Sequence, residues 1–327
     1  MQQPVISIKG VKKSFGKKIV LDNVNLDVRK GEIFGVIGLS GSGKTTLFNS
    51  LIGFIEPEEG RILYNHPVFP MKTSVSIFDD LLEVRKIFGF APQIPSFYPK
   101  LTAEENLDHF GSLYGINKFV RKKNIDYLLK LVDLYDSRDT LGDELSGGMQ
   151  KRLSIACALI HNPKVLILDE PTADLDPHLR NQTWEVLKNI NKQGTTVIVS
   201  SHFLEEVEVL CDRVGILHNG SMLEVGSPDE LKDAYSKNEE IHLETSPGKY
   251  DLIYKKLRGL KSLSIKKVVN KGSKMIIYTP KAEETLHRLL HLLESMHENL
   301  LDVYVNKPSL EEVFESLTNK SVRLDKR

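Results

Sequence analysis

The sequence predicts an α/β domain built on a parallel sheet, followed by a small α+β unit. Three observations carry this. Gly38–Thr45 is a glycine-rich loop set between a buried-strand pattern, Glu32–Ile37, and a helix pattern, Thr46–Ile52. Val165–Leu168 and Thr196–Val199 are continuous apolar runs separated by a helical stretch around Trp184, as expected for parallel strands covered on both faces. From Glu239 to Thr318 the pattern reads strand, helix, two strands, helix, strand, with a closing helix.

The elements follow in order. Val5–Ile8, Ile19–Leu21 and Val24–Val28 read as short β pieces. Asn65–Val84, with His66-Pro67 and Phe69-Pro70, reads as an irregular loop, and Ile87–Ala91 as a strand. Ile94–Asn162 is mostly helical, one helix opening at Thr102 with an acidic residue three places on. In the second unit, Ile241–Thr245 alternates like a strand and Tyr250–Leu257 reads as a helix. Leu263–Val269 and Lys274–Thr279 read as a hairpin around Asn270–Ser273. Glu283–Asn299 is amphipathic, with Leu286, Leu289, Leu290 and Leu293 at helical spacing. Leu301–Val305 and Ser309–Leu317 complete a ferredoxin-like α+β arrangement, a fold that names no function. The domain boundary is expected near 237/238.

Bulk properties narrow the classes. The 327 residues are 40% hydrophobic and 27% charged, the balance of a globular protein. Lys+Arg and Asp+Glu both number 44, so no global field draws nucleic acid or anionic lipid. No apolar run approaches the roughly 20 residues that cross a bilayer, and no secretion signal is seen at the start. Cys157 and Cys211 lie in apolar helical stretches and read as reduced core residues. A cytoplasmic protein is expected.

The chemistry lies in the spacing. Gly38-Leu39-Ser40-Gly41-Ser42-Gly43-Lys44-Thr45 fits the G-x-x-x-x-G-K-[ST] pattern of a phosphate-binding loop. Gly38, Gly41 and Gly43 let the backbone curl around an anion, with its N–H groups pointing inward. Lys44 adds a cation for β- and γ-phosphates, and Thr45 a hydroxyl for Mg²⁺; Thr46 opens the helix whose positive end faces the phosphates. Leu166–Glu170 is a strand ending in two acids, Asp169 placed to reach Mg²⁺ and Glu170 to polarise an attacking water. Leu145-Ser146-Gly147-Gly148-Met149-Gln150 begins another helix shortly before these acids. Gln93 and His202 each follow a strand, at the sheet edge that faces a nucleotide. His287 and His291, an i, i+4 pair with Glu284 and Glu294 nearby, flank the leucine stripe and read as a solvated face.

From Val5 to about Leu231 the chain resembles the ABC-type ATPases, the nucleotide-binding subunits of ABC transporters: phosphate-loop NTPases with a helical subdomain. The resemblance rests on six motifs in order. They are the Walker A loop, the Q-loop Gln93, the signature Leu145–Gln150, the Walker B stretch Val165–Glu170, the D-loop Ala173–Asp176, and the switch His202. Asp174 stands where glycine is more usual, and Phe15 takes the place of the aromatic that stacks on adenine. The resemblance implies that two such domains sandwich two ATP molecules head to tail, Ser146 and Gly148 of one meeting the γ-phosphate held by Lys44 of the other. Gly147, Gln150 and Asp176 fall in the same nucleotide-facing motifs. It implies Glu170 as general base, His202 on the γ-phosphate, and Gln93 near Mg²⁺ and linked to the helical subdomain.

It also implies a second ATPase subunit, most simply an identical one, and an integral membrane permease. The chain would then sit at the cytoplasmic face of the membrane, touching it only through the permease, and would bind no nucleic acid. The stretch Asn306–Phe314, with Leu317-Thr318, is similar to the ending of drug-resistance (daunorubicin-type) and sodium-export ATPases. Export through a separate permease is the expected function. Alternatives are an importer ATPase and a soluble ABC ATPase. Against the last stand the single ATPase domain and the lack of a long coiled coil before the signature.

Overall fold

The computed structural model describes residues 4–65, 75–235, 239–259, 263–306 and 309–324. The Pro-containing steps at 67 and 70, and residues 307 and 308 of the C-terminal motif, lie outside them. The chain divides into two compact units, Met1–Ser227 and Pro228–Arg327.

The first unit opens on two paired antiparallel strands, β1 (Pro4–Phe15) and β2 (Lys18–Arg29). The sequence suggested three short pieces because the alternation breaks at a bulge. Gly10 sits there with φ +61, and its N–H donates to Asn25 Oδ1 at 2.9 Å. β3 (Ile33–Ile37), buried throughout, leads into α1 (Lys44–Leu51). β4 (Glu59–Tyr64) and the short β5 (Val75–Ser76) extend the first sheet to the order β2-β1-β4-β5. The segment up to Val84 is not wholly irregular: α2 (Leu81–Ile87) forms there, its N-cap Asp80 accepting from Glu83 N–H. It runs straight into β6 (Phe88–Ala91).

The helical region comprises α3 (Ala103–Leu113), α4 (Lys118–Leu131) and α5 (Gly147–Leu159). The capping box expected at Thr102 is present, reciprocated by Glu105. β7 (Val165–Leu168), α6 (Pro177–Lys192), β8 (Thr196–Ser201), α7 (Leu204–Leu210), β9 (Arg213–His218) and β10 (Ser221–Gly226) complete the unit. The second sheet has the order β10-β9-β3-β8-β7-β6 and is parallel except for β10. β3, which leads into the glycine-rich loop, and β7, which ends at the acid pair, each pair with β8, so the loops after them share one sheet edge. Phe34, Leu47 and Phe48 are fully buried, each contributing on the order of 2 kcal/mol by burial. Both cysteines are buried, and burial pushes both thiols well above their ordinary range.

His161, in the turn from α5 to β7, stacks flat on Tyr114 at 3.9 Å and its Nε2 donates to Phe88 O at 3.2 Å. Burial lowers its pKa from 6.5 to about 4. Between those values the unfolded chain takes up a proton that the folded chain refuses, so stability falls as pH drops from about 6.5 to about 4. Urea unfolding at pH 7 and pH 5 should show that loss, and His161→Phe, which keeps a stacking ring, should shrink it. Equal losses in both proteins would remove His161 as the cause.

In the second unit, α8 (Pro228–Tyr235) packs against α11 (Leu310–Leu324) and so belongs with it. The unit begins at Pro228, earlier than the sequence boundary. β11 (Glu239–Ser246), α9 (Tyr250–Gly259), β12 (Lys267–Asn270), β13 (Met275–Thr279), α10 (Ala282–Ser295) and β14 (Asn299–Asn306) give the expected βαββαβ order. The antiparallel sheet runs β12-β13-β11-β14. The hairpin is shorter than its sequence signal, since 263–266 lies outside β12. Ile241, Leu243, Ile253, Leu289 and Leu293 form its core. On α10 Glu284 pairs with Lys281 and His291 with Glu294, each three residues away.

Candidate nucleotide site

The loop between β3 and α1 is built for close approach. A Cβ on Gly38 would lie 2.4 Å from Leu217 O and 2.5 Å from Ser42 Oγ. One on Gly43, at φ +110, would lie 2.7 Å from Val20 O. Leu39 and Ser40 are exposed, as is Gly41 at φ +80. Gly43 is also the N-cap of α1 and supplies no side chain, so the first N–H groups of that helix lack a cap. Ser42 Oγ is buried without a hydrogen-bond partner among the described residues. Uncapped donors, an orphaned hydroxyl and two glycines with no room for a Cβ are what a bound phosphate chain would fit.

Lys44, 5% exposed, bonds Gly38 O at 2.8 Å and lies 3.4 Å from Glu170 Oε1. Thr45 and Thr46 follow it on the first turn of α1. At the end of β7, Asp169 is buried and accepts from Ser200 Oγ at 2.5 Å. Ser200 Oγ in turn accepts from the Glu170 N–H at 2.8 Å. One serine on β8 thus fixes both acids; nothing in its sequence setting, the end of an apolar run, marked it out. Glu170 has φ +49, a left-handed conformation costly for a residue with a Cβ. His202 Nδ1 stands 3.1 Å from Glu170 Oε2. Lys44, Glu170 and His202, distant in sequence, therefore meet at one carboxylate.

The remaining candidates are placed separately. Ser146 is the N-cap of α5 and accepts from Met149 N–H. Gly147 is exposed; Gly148 is buried, where a Cβ would press on Leu179 of α6 at 3.0 Å. The Gln150 amide donates to Gly142 O and Leu145 O, both at 3.1 Å, so it braces the turn carrying Ser146. Asp176 caps α6, accepting from His178 and Leu179 N–H groups. Asp174 has φ +63, which explains why glycine suits that position and why the short polar aspartate can stand in. Lys151, which directly follows the Leu145–Gln150 stretch, holds Ala173 O at 2.6 Å. Gln93 is exposed just after β6, and Phe15 is 51% exposed at the end of β1. The hydrogen bonds of Ser146 and Gln150 stay within 142–150 and do not reach the phosphate-type loop.

Fold and loop together define a phosphate-loop nucleotide hydrolase, in which a lysine after β3 and an acid pair after β7 meet at one edge of the parallel sheet, on either side of β8. Residues 21–173 match the ABC transporter family model. The chain is 33% identical over 319 residues to the linearmycin resistance ATP-binding protein LnrL of Bacillus subtilis (strain 168), covering 98% of this chain and 100% of that protein. It is 34% identical over 327 residues to the Nod factor export ATP-binding protein I of Rhizobium sp. (strain N33), covering 98% and 99%. Among solved structures, a dimeric ATP-binding cassette in a post-hydrolysis state, bound to ADP and Pi, is 29% identical with TM-score 0.59, covering 68% of this chain and 98% of that one. The chain belongs to the ABC transporter family, as an ATP-hydrolysing, ATP-binding subunit.

Proposed function

We propose that the chain powers export through a separate membrane permease, working as a pair of identical subunits at the cytoplasmic face of the membrane. Its end-to-end likeness to a linearmycin resistance protein and a Nod factor export protein, second unit included, carries this reading. The first unit is the ATPase, and the second an accessory domain.

In the proposed site, the Gly38–Thr46 loop and Lys44 hold the β- and γ-phosphates, and the exposed ring of Phe15 takes the adenine. Glu170 accepts the proton of the attacking water at Oε1 or Oε2. His202, within hydrogen-bond distance of that carboxylate, orients the water and contacts the γ-phosphate. Thr45, Asp169 and Gln93 would hold Mg²⁺, which when bound neutralises charge on the phosphates. The exposed Ser146 and Gly147, with the buried Gly148 behind them, would complete a partner subunit's site, while Asp176 and Gln150 fix the turns beside it. A groove of about 420 Å³, lined by Phe54, Arg85, Phe88, Phe90, Tyr114 and Cys157, lies beside the Gln93 loop and offers the permease an apolar seat. Phe54 is 69% exposed there, a large ring left in water unless something covers it.

The test is capture of the Glu170→Gln protein, with ATP, from detergent-solubilised native membranes, and identification of what comes with it. A multi-helix permease and no solute-binding protein is expected. A permease accompanied by a binding protein, or soluble partners alone, would overturn the export reading.

A further inference from the structure

His202 sits one residue before the N-cap of α7, a helix of seven residues whose N-cap, Phe203, supplies no side-chain hydrogen bond. A helix so short and uncapped does not fix its own position. Glu206 does. Its Oε2 accepts from Trp184 Nε1 at 2.8 Å and from Thr172 Oγ1 at 3.0 Å, and its Oε1 accepts from Arg180 Nη1 at 3.1 Å. The carboxylate is 17% exposed, so these bonds are largely shielded from water.

Arg180 is itself held twice. Its Nε donates to Leu175 O at 2.8 Å, and its guanidinium lies 4.0 Å from the centre of the Phe203 ring. Phe203 in turn contacts the His202 ring, centroids 4.1 Å apart. A continuous set of contacts thus runs from the loop after Glu170, through α6, to the residue that meets the Glu170 carboxylate. Both ends of the Glu170–His202 pair are fastened to the same two side chains, Glu206 and Arg180: Thr172 and Leu175 hold to them on the Glu170 side, and on the His202 side Glu206 lies in α7 and Arg180 packs on Phe203.

We propose that Glu206 and Arg180 form a clamp that sets the reach of His202 toward Glu170, making Glu206 a positioning residue for hydrolysis. This rests on the roles given above to Glu170 and His202. Glu206→Gln keeps the shape but turns one acceptor into an NH₂ donor facing three donors, so at least one bond is lost.

Trp184 is the only tryptophan in the chain, so its emission reports the clamp directly. Steady-state hydrolysis, nucleotide affinity and tryptophan emission are measured for the wild type, Glu206→Gln, Arg180→Lys, His202→Ala, Glu170→Gln and the His202→Ala/Glu206→Gln pair. Glu206→Gln should shift the Trp184 emission, lower kcat on the order of 10-fold, and leave ATP affinity unchanged. The double variant should be no slower than His202→Ala alone, since the clamp acts only through the histidine. Arg180→Lys, which keeps charge and loses the fork, should lower kcat in the same direction and serves if Glu206→Gln does not fold. Wild-type kcat in a variant with shifted emission would overturn the clamp, as would a double variant slowed by the product of the two single effects. Should Glu170→Gln hydrolyse ATP normally, the catalytic roles fail instead, and the two failures are told apart.

Discussion

Glu170→Gln is expected to bind ATP normally and to hydrolyse it about 10²-fold more slowly or worse, the scale of a lost general base. The substitution is nearly isosteric. Ser200 still accepts from the backbone N–H of residue 170, and the loop keeps its course. What changes is the basicity of the one group that Lys44 and His202 both face, at 3.4 and 3.1 Å. ATP should accumulate bound, and with it a closed dimer. Single-turnover hydrolysis and size-exclusion chromatography with ATP check both. Near-normal turnover would take Glu170 out of the role.

Lys44→Ala should instead strike binding. Its ammonium is buried, bonded to Gly38 O and close to the Glu170 carboxylate. Charge-assisted bonds of this kind are worth about 1.5–3 kcal/mol each, so a roughly 10- to 100-fold loss of ATP affinity is expected. Removing the cation also leaves Glu170, 13% exposed, with His202 as its nearest partner, so hydrolysis should fall further than binding alone explains. Isothermal titration with ATP decides it: unchanged affinity would contradict the loop's assignment. The two variants separate the roles, one blind to binding and the other defined by it.

How much of this was legible in the sequence depended on distance along the chain. The phosphate-type loop could be read because its chemistry is packed into eight consecutive residues, Gly38–Thr45. The acid pair could be read because a fully apolar strand ends on it, and the βαββαβ order of the second unit because its periodicities are clean. The helix over Leu81–Ile87 escaped the sequence reading, since its seven residues are too few for a clear helical period and straddle the end of the presumed loop and the start of the next strand. β4, β9 and β10 carried no signal strong enough to name; β10, half-buried along most of its length, shows no clear alternation. Ser200 and the Glu206 cluster were invisible for a different reason. Ser200 meets Asp169 across 31 positions and Glu206 meets Trp184 across 22, through sheet and helix packing that no local pattern encodes. Asp176 and Gln150 were found by motif, while the structure gives each a local task, capping a helix and bracing a turn.

The backbone between the acid pair and α6 is bent by two residues that do not belong in left-handed conformations, Glu170 at φ +49 and Asp174 at φ +63. Each such residue forfeits stability, on the order of 1 kcal/mol or more. The two forfeits are unequal in kind. At 174 the loss is optional, because glycine would sit there without strain and take nothing from the Glu170–His202 pair. At 170 it is not, because the residue that fits the backbone best has no carboxylate. Selection for a tougher protein can therefore act on one end of this loop and is barred from the other, so the proposed general base stays a permanent weak point of the fold.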